Sequence, residues 1–342
     1  MRFYRRLLKK ILRHRYRFHP ELTIIIPFYN AGTYLERLLS HIVNTTNIKC
    51  EILCIDDGSE DDGASIVKRY SMVYGCIRLI RFEENRGLFL ARQEGIKEAR
   101  GDYIGFVDSD DMIEPGYFDM LYKAAVKGNF DIAVGQIINV NTKGERYLQV
   151  RCAEFPYDNA QMVDNKTLVS KYWRQRGRCY HFHVVWNKIY KASILKKALA
   201  NTSKYTGHHV MLEDFVYSSL WFANIHSYVT VPEAEYFYQE NEPLYSYELY
   251  IKQLEDIRAA FDFVENYVPS EFIDDFKEWK ALYGRIWKRN IEVGKWEEGH
   301  YKKLISELKS IFGEEIGNIS KWDDFYYEIA IKKLFHTPLT ST

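Results

Sequence analysis

The stretch Tyr103–Asp111, YIGFVDSDD, runs strand-like residues, Tyr103, Ile104, Phe106 and Val107, straight into three carboxylates, Asp108, Asp110 and Asp111. A buried strand reads as a short, near-continuous run of β-branched and aromatic residues, and in an open α/β sheet ligands collect where strands end. Three acids crowded at such an end disfavour one another's ionisation, so the arrangement calls for a compensating cation. Oxygen ligands suit a hard divalent ion, and Mg²⁺ is commonly held by one or two carboxylates plus substrate phosphates. The same nine residues also read as a solvated acidic turn leading into a helix begun by Glu114 and Pro115.

The flanking sequence repeats the pattern. LTIIIP (Leu22–Pro27), EILCID (Glu51–Asp56) and IRLIRF (Ile77–Phe82) read as strands. Residues 33–43, 64–70 and 89–99 read as helices, the last closed by Gly101 in the manner of a C-terminal glycine. Strands alternating with helices across short loops mean βαβ units, so the expected fold is a doubly wound α/β domain with a mainly parallel sheet. DIAVG, from Asp131, offers a further short strand, whereas residues 141–185 mix polar and aromatic positions without a clear period. Beyond Tyr245, four runs at 247–268, 272–293, 297–312 and 322–335 show helical spacing, separated by Pro269, Gly294 and Gly313. The expected organisation is a basic amphipathic helix over 1–19, an α/β domain over 20–240 and a helical C-terminal region over 241–342.

Composition sets the bounds. With 46% hydrophobic and 27% charged residues over 342 positions, the chain is globular rather than disordered. Its five cysteines are scattered without a C-x-x-C pair, which argues against a zinc site or disulfide framework and for a reducing compartment. No uninterrupted apolar run is long enough to span a bilayer. The net charge of zero hides an asymmetry, because residues 1–19 hold eight Lys or Arg and no acid. In that arm Phe3, Tyr4, Leu7, Leu8, Ile11 and Leu12 share one helical face, with arginines and lysines opposite. The pattern reads as a membrane-surface helix, a helix packed on the body or a nucleic-acid arm, in that order, and not as a secretory signal.

Four loops follow the four predicted strands and meet at one sheet edge: PFYN (Pro27–Asn30), DDGSEDD (Asp56–Asp62), ENRGLFLARQEG (Glu83–Gly95) and DSDD (Asp108–Asp111). Asp56 or Asp57 can accept hydrogen bonds from a base or ribose, and Arg86 and Arg92 can face a phosphate. Taken in order, these motifs, with N-R-G-x-x-x-A-R-x-x-G running from Asn85 on to the acids, resemble the family 2 glycosyltransferases of the GT-A fold. The resemblance covers about a quarter of the chain strictly and reaches loosely to about residue 240.

The resemblance implies roles. Asp57 or Asp56 would hold the nucleobase, usually uracil, with Pro27 and Tyr29 lining the nucleotide pocket. Asp108, with Ser109 beside it, would bind the ribose or the metal, and Asp110 would be the main ligand of Mn²⁺ or Mg²⁺ bridging the diphosphate. Arg86 and Arg92 would lie near the donor. Family members often carry a Glu-Asp pair at a helix start about 100 residues further on, which makes Asp214 the expected base and Glu213 its neighbour. The alternative for that pair is an acid-rich first helical turn. VWNKIY (Val185–Tyr190) and the aromatic run Tyr236–Tyr238 also resemble family stretches. His181, His183, His208 and His209 read as structural, and Arg178 and Lys188 stay open between diphosphate neutralisation and solvation.

The resemblance therefore implies an inverting glycosyltransferase that moves a sugar from a nucleotide diphosphate sugar, expected to be a UDP-sugar, to a hydroxyl of a saccharide or glycolipid acceptor. The expected acceptor is a growing cell-surface saccharide, lipopolysaccharide or capsule. The expected place is the cytoplasmic, inner face of the cell membrane, in peripheral contact through the basic helix, with no nucleic-acid partner. Two rivals are a sugar nucleotidyltransferase, for which PFYN supplies no Gly-rich phosphate loop, and a non-catalytic saccharide- or nucleotide-binding relative, against which the intact acids argue.

Overall fold

A computed structural model describes residues 19–148, 161–162, 165–174, 180–205, 212–240, 246–314 and 316–317. The basic arm up to residue 18, Arg178, His208, His209 and the run 322–335 lie outside the described residues. In chain order the elements are β1 (Leu22–Phe28), α1 (Gly32–Thr45), β2 (Cys50–Asp56), α2 (Gly63–Val73), β3 (Ile77–Arg81), α3 (Leu88–Glu98), β4 (Tyr103–Phe106), β5 (Met112–Ile113) and α4 (Tyr117–Lys127). Then come β6 (Ile132–Val140), β7 (Arg146–Leu148), β8 (Gln161–Met162), α5 (Asn165–Arg174), α6 (Tyr180–His183), β9 (Lys188–Lys191), α7 (Ala192–Thr202), α8 (Glu213–Trp221) and β10 (Ser227–Gln239). Three long helices follow, α9 (Tyr247–Glu265), α10 (Ile273–Val293) and α11 (Glu298–Phe312).

The sheet order is β3-β2-β1-β4-β9-β6-β10-β5, with β7 on β6 and β8 on β10. Strands β1–β4, β6 and β10 run one way, and the short β5, β7, β8 and β9 run against them. The mainly parallel expectation holds for the long strands. The antiparallel insertion of β9 between β4 and β6 comes from Lys188–Lys191, within and just past the VWNKIY stretch, where no strand was expected.

Side-chain alternation assigns the two faces. Ile25 pairs in register with Phe106, and both point toward one layer, where Gly95 of α3 lies against Ile25 and Trp221 of α8 stacks on Phe106 at 6.0 Å. Their neighbours Ile24 and Gly105 point the other way, where Phe118 of α4 packs on Gly105. Asp119 of α4 accepts N–H bonds from Asn47 and Ile48 just after α1 (2.9 Å each), which puts α1 and α4 in the same layer. One continuous apolar core runs from Leu22 through the sheet to Leu304 and Ile311, so the C-terminal helices share the core of the α/β domain.

At the starting ends of the strands a buried polar network closes the sheet. Glu51 of β2 accepts from the Thr23 hydroxyl (2.8 Å), the Arg100 N–H (2.6 Å) and the Arg78 guanidinium (3.0 Å). Gly101 has a different job from the helix closure expected of it. Helix α3 ends at Glu98, and a Cβ at Gly101 would fall 2.5 Å from the Thr23 nitrogen, so glycine is what lets this turn lie against β1.

Candidate active site

At the opposite, carboxyl ends of the strands the four loops meet as expected, and they are fastened chiefly to one another. Asn30, in a left-handed conformation (φ 50°) that Asn tolerates, donates its N–H to Ser59 Oγ (3.0 Å) and accepts the Glu60 N–H (2.9 Å). Gly58 has φ 77°, and a Cβ there would fall 2.5 Å from the Glu84 carbonyl carbon, so the second and third loops can touch only through glycine.

The aspartates expected to grip a nucleobase serve this fastening. Asp57 accepts the N–H groups of Arg86 (2.7 Å) and Gly87 (2.8 Å), and burial nonetheless pushes its carboxyl upward. Asp56 accepts the Ser59 N–H (2.8 Å) and lies 3.2 Å from Arg81 Nε, an ion pair off the hydrogen-bond direction. Both residues are buried, as is Pro27 within β1, so none of the three presents an open surface. Of the residues expected to line the nucleotide in these loops, Tyr29, 48% exposed, and Arg86, exposed with its guanidinium 4.8 Å above the Phe82 ring, are open.

The acidic loop is pinned from β10. The Tyr236 hydroxyl accepts the Asp108 N–H (3.1 Å) and donates to Asp111 Oδ2 (2.8 Å), while the Gln239 N–H donates to Asp111 Oδ1 (2.8 Å). Asp111 is fully enclosed, and burial together with the charges of Asp108 and Asp110 holds its carboxyl well above the usual range. It is a structural acid, whereas Asp108, Ser109 and Asp110 are half-buried. Trp186 stacks on Tyr236 (4.4 Å) and Tyr238 (5.4 Å), which joins the two aromatic stretches singled out in the sequence.

Arg92 was expected beside a donor phosphate; the structure puts it underneath the site. Its guanidinium, 1% exposed, donates to Asp108 Oδ1 (2.7 Å), Glu213 Oε1 (2.8 Å) and Asp214 Oδ1 (2.8 Å). A planar fork with five N–H donors is suited to gathering carboxylates. The three come from positions 16, 121 and 122 residues away, so no local spacing could have announced the cluster.

The Glu213–Asp214 pair sits in the first turn of α8, as expected from an acid-rich helix start. Leu212, just before it, adopts φ 63°, a left-handed conformation that costs a branched residue about 1–2 kcal/mol. The turn is held from the other side by the Tyr217 hydroxyl, which donates to the Phe89 carbonyl of α3 (2.6 Å).

Asp214 retains 20% side-chain exposure and is pushed up to about 8. Burial is the main cause, Arg92 and Lys188 oppose it, and the neighbouring charges of Glu213 and Asp108 add to it. Lys188, open in the sequence, is therefore a buried cation near the pair, and it donates to the Val184 carbonyl and Asn187 Oδ1. His183 lies in the aromatic core, its ring 4.7 Å from Trp279 and 4.9 Å from Tyr172.

Comparison with known proteins agrees with this layout. GlyA, a glycosyltransferase of Streptococcus pneumoniae serotype 4, is 35% identical over 181 residues, which span 52% of this chain and 25% of that protein. The cholesterol galactosyltransferase of Borreliella burgdorferi is 26% identical over 338 residues, 92% of this chain and 87% of that one. The crystal structure of S. aureus TarS 1–349 in complex with UDP-GlcNAc shares the fold, with a TM-score of 0.60 at 17% identity over 92% of this chain and 88% of that chain. The description of glycosyl transferase family 2 matches residues 23–202, from β1 to the end of α7, and the chain therefore belongs to this family of glycosyltransferase enzymes.

Proposed function

We propose that the chain is an inverting glycosyltransferase that transfers a sugar from a UDP-sugar to a hydroxyl of a cell-surface saccharide, with Asp214 as the base. The observation that carries this reading is the Arg92 cluster. It holds the half-buried Asp108 of the acidic loop and the Glu213–Asp214 pair on one guanidinium, so a donor lying on the loop and an acceptor hydroxyl meeting α8 share one crevice. That TarS was crystallised with UDP-GlcNAc supports a UDP-sugar donor.

An attacking sugar hydroxyl has a high pKa and needs a positioned carboxylate to take its proton as it becomes a nucleophile. Asp214 is raised toward neutrality and partly open, which suits that work. Direct attack on the anomeric carbon from the Asp214 side, with the diphosphate leaving on the other, inverts the configuration. Tyr29 and Arg86, both exposed, would flank the nucleotide.

Asp108 and Asp110 fit a hard divalent ion, being oxygen donors half-buried at a strand end, with one Asp108 oxygen committed to Arg92. Mg²⁺ is commonly held by one or two carboxylates plus substrate phosphates, and among the described residues no group of three His, Cys, Asp or Glu side chains is placed to hold a metal. Bound there, Mn²⁺ or Mg²⁺ would neutralise charge developing on the departing diphosphate. No helix among the described residues is long and apolar enough to cross a membrane, and contact with the inner membrane face would fall to the basic arm.

Thermal unfolding with a panel of nucleotide sugars, with and without Mn²⁺, tests the donor site. A ligand at about 100 times its Kd stabilises by about 2.7 kcal/mol. A metal-dependent shift with a UDP-sugar, absent in Asp110→Ala, is the expected result. No shift with any nucleotide sugar and any divalent ion would sink the catalytic reading.

A further inference from the structure

A groove of about 420 Å³ opens at the β5 edge of the sheet, between α1 and the β6–β7 hairpin. Its volume falls in the range of small-molecule sites, about 300–1,000 Å³. One wall is α1, where Arg37 and His41 stand one helical turn apart; the facing wall is the β6–β7 turn, which brings Arg146. The floor is apolar and includes Phe237, Met112 and Val140, and Glu114 stands in the lining with them.

Arg37 and His41 have little to do within the protein, whereas Arg146 also faces the charge of Glu235, a neighbour of Glu114. Arg37 is exposed and has no ion pair among the described residues, and His41 Nε2 is buried with no hydrogen-bond partner among them. Arg146 is exposed, its guanidinium stacked 4.2 Å above the Phe237 ring, which fixes the plane of its N–H donors over the apolar floor. Two guanidinium forks and an imidazole converging from two walls match a phosphate or carboxylate. An apolar floor with an aromatic ring matches the C–H face of a sugar. Glu114 would repel the anionic end and accept from a hydroxyl, which gives the ligand a direction.

We propose that this groove is a second saccharide site, which binds a phosphate- or carboxylate-bearing unit of the acceptor chain through Arg37, His41 and Arg146, at the β5 edge of the sheet. It rests on the proposed function only for the source of the ligand. The groove also touches the acidic loop. Gln239 lines it and, through its N–H, holds Asp111, and Met112 follows Asp111 directly. An occupant thus bears on one of the two β10 residues that pin the loop, and on the residue that follows the loop's buried acid.

The test is isothermal titration of the full chain with glucose 6-phosphate, glucuronate and glucose. Both anions should bind and glucose should not. Arg37→Gln/Arg146→Gln, two exposed positions whose change should leave the circular dichroism spectrum intact, should weaken both anions by roughly tenfold or more, while Asp110→Ala should leave them unchanged. The UDP-sugar melting shift should survive in the arginine double variant. Absence of anion binding, equal binding of glucose, or anion binding that follows Asp110 rather than the arginines would each overturn the groove. Anion binding that depends on the arginines would support it even if no UDP-sugar shifts the protein, so the groove and the donor reading fail separately.

Discussion

Two buried arginine–carboxylate networks sit at opposite ends of the same strands, and they differ in charge balance. At the starting ends Glu51 shares Arg78 with the half-open Glu98, and its oxygens are also satisfied by a hydroxyl and a backbone N–H. At the carboxyl ends the one Arg92 guanidinium bonds Asp108, Glu213 and Asp214, with Lys188 nearby, and Asp214 is still displaced to about 8. The first network uses polar groups to close a turn, whereas the second holds a surplus of negative charge in place. Surplus charge that the fold tolerates only through a central cation is a mark of a functional site rather than a stabilising one.

The comparison breaks most visibly at the arginines. Arg92→Met leaves three carboxylates sharing a low-dielectric pocket, and we expect a loss of about 3–5 kcal/mol in urea unfolding. Arg78→Met, with the arginine itself partly open and other donors already on Glu51, should cost about 1–3 kcal/mol. Equal losses would show that the two networks are the same kind of object.

Neutralising one acid in each network should then give opposite signs. Asp214→Asn should lower transfer by about 10²–10⁴-fold and, above about pH 8 where Asp214 is charged, leave the melting temperature unchanged or higher, since one of three crowded charges is gone. Glu51→Gln should lower the melting temperature and leave UDP-sugar binding intact. A stabilised Glu51→Gln would remove the distinction.

The pH dependence sharpens it further. Because Asp214 is raised from 3.8 to about 8, the folded protein keeps a proton in that window that the unfolded chain releases. Its contribution to stability is therefore present at low pH and is lost as pH rises through about 8, while the transfer rate climbs over the same range as the base is freed. An acidic limb near pH 4 in kcat/KM, or one unchanged in a slow but active Asp214→Asn, would assign the base elsewhere. The smallest effect is expected at Leu212. Leu212→Gly relieves the left-handed strain but loosens the start of α8, so stability should change by no more than about 1 kcal/mol while transfer falls severalfold.

The sheet's first half was legible because short apolar strands and amphipathic helices alternate there, and each strand ends in polar turn chemistry. The convergence of the four loops followed from that alternation alone. What could not be read was pairing over long sequence distance. Arg92 in A-R-x-x-G looks like a residue free to meet a phosphate, and only the fold shows it turned inward toward acids more than 120 residues away. Asp56 and Asp57 look available for the same reason, until the third loop's backbone N–H groups and Arg81 are seen to engage them. Strand β9 escaped because Asn187 and Lys188 interrupt its apolar character with buried polar groups that bond locally.

The Tyr236 hydroxyl, held between Asp108 and Asp111, sets a limit on recombination. The acidic loop belongs to the segment that matches the family description, yet the groups that satisfy its buried acid come from β10, beyond that segment's end. A chimera joined between α7 and β10 would inherit a loop from one parent and its fastening from another. Such exchanges should succeed only when the incoming strand brings a hydroxyl at this position, and the natural unit of transplantation extends at least to Gln239.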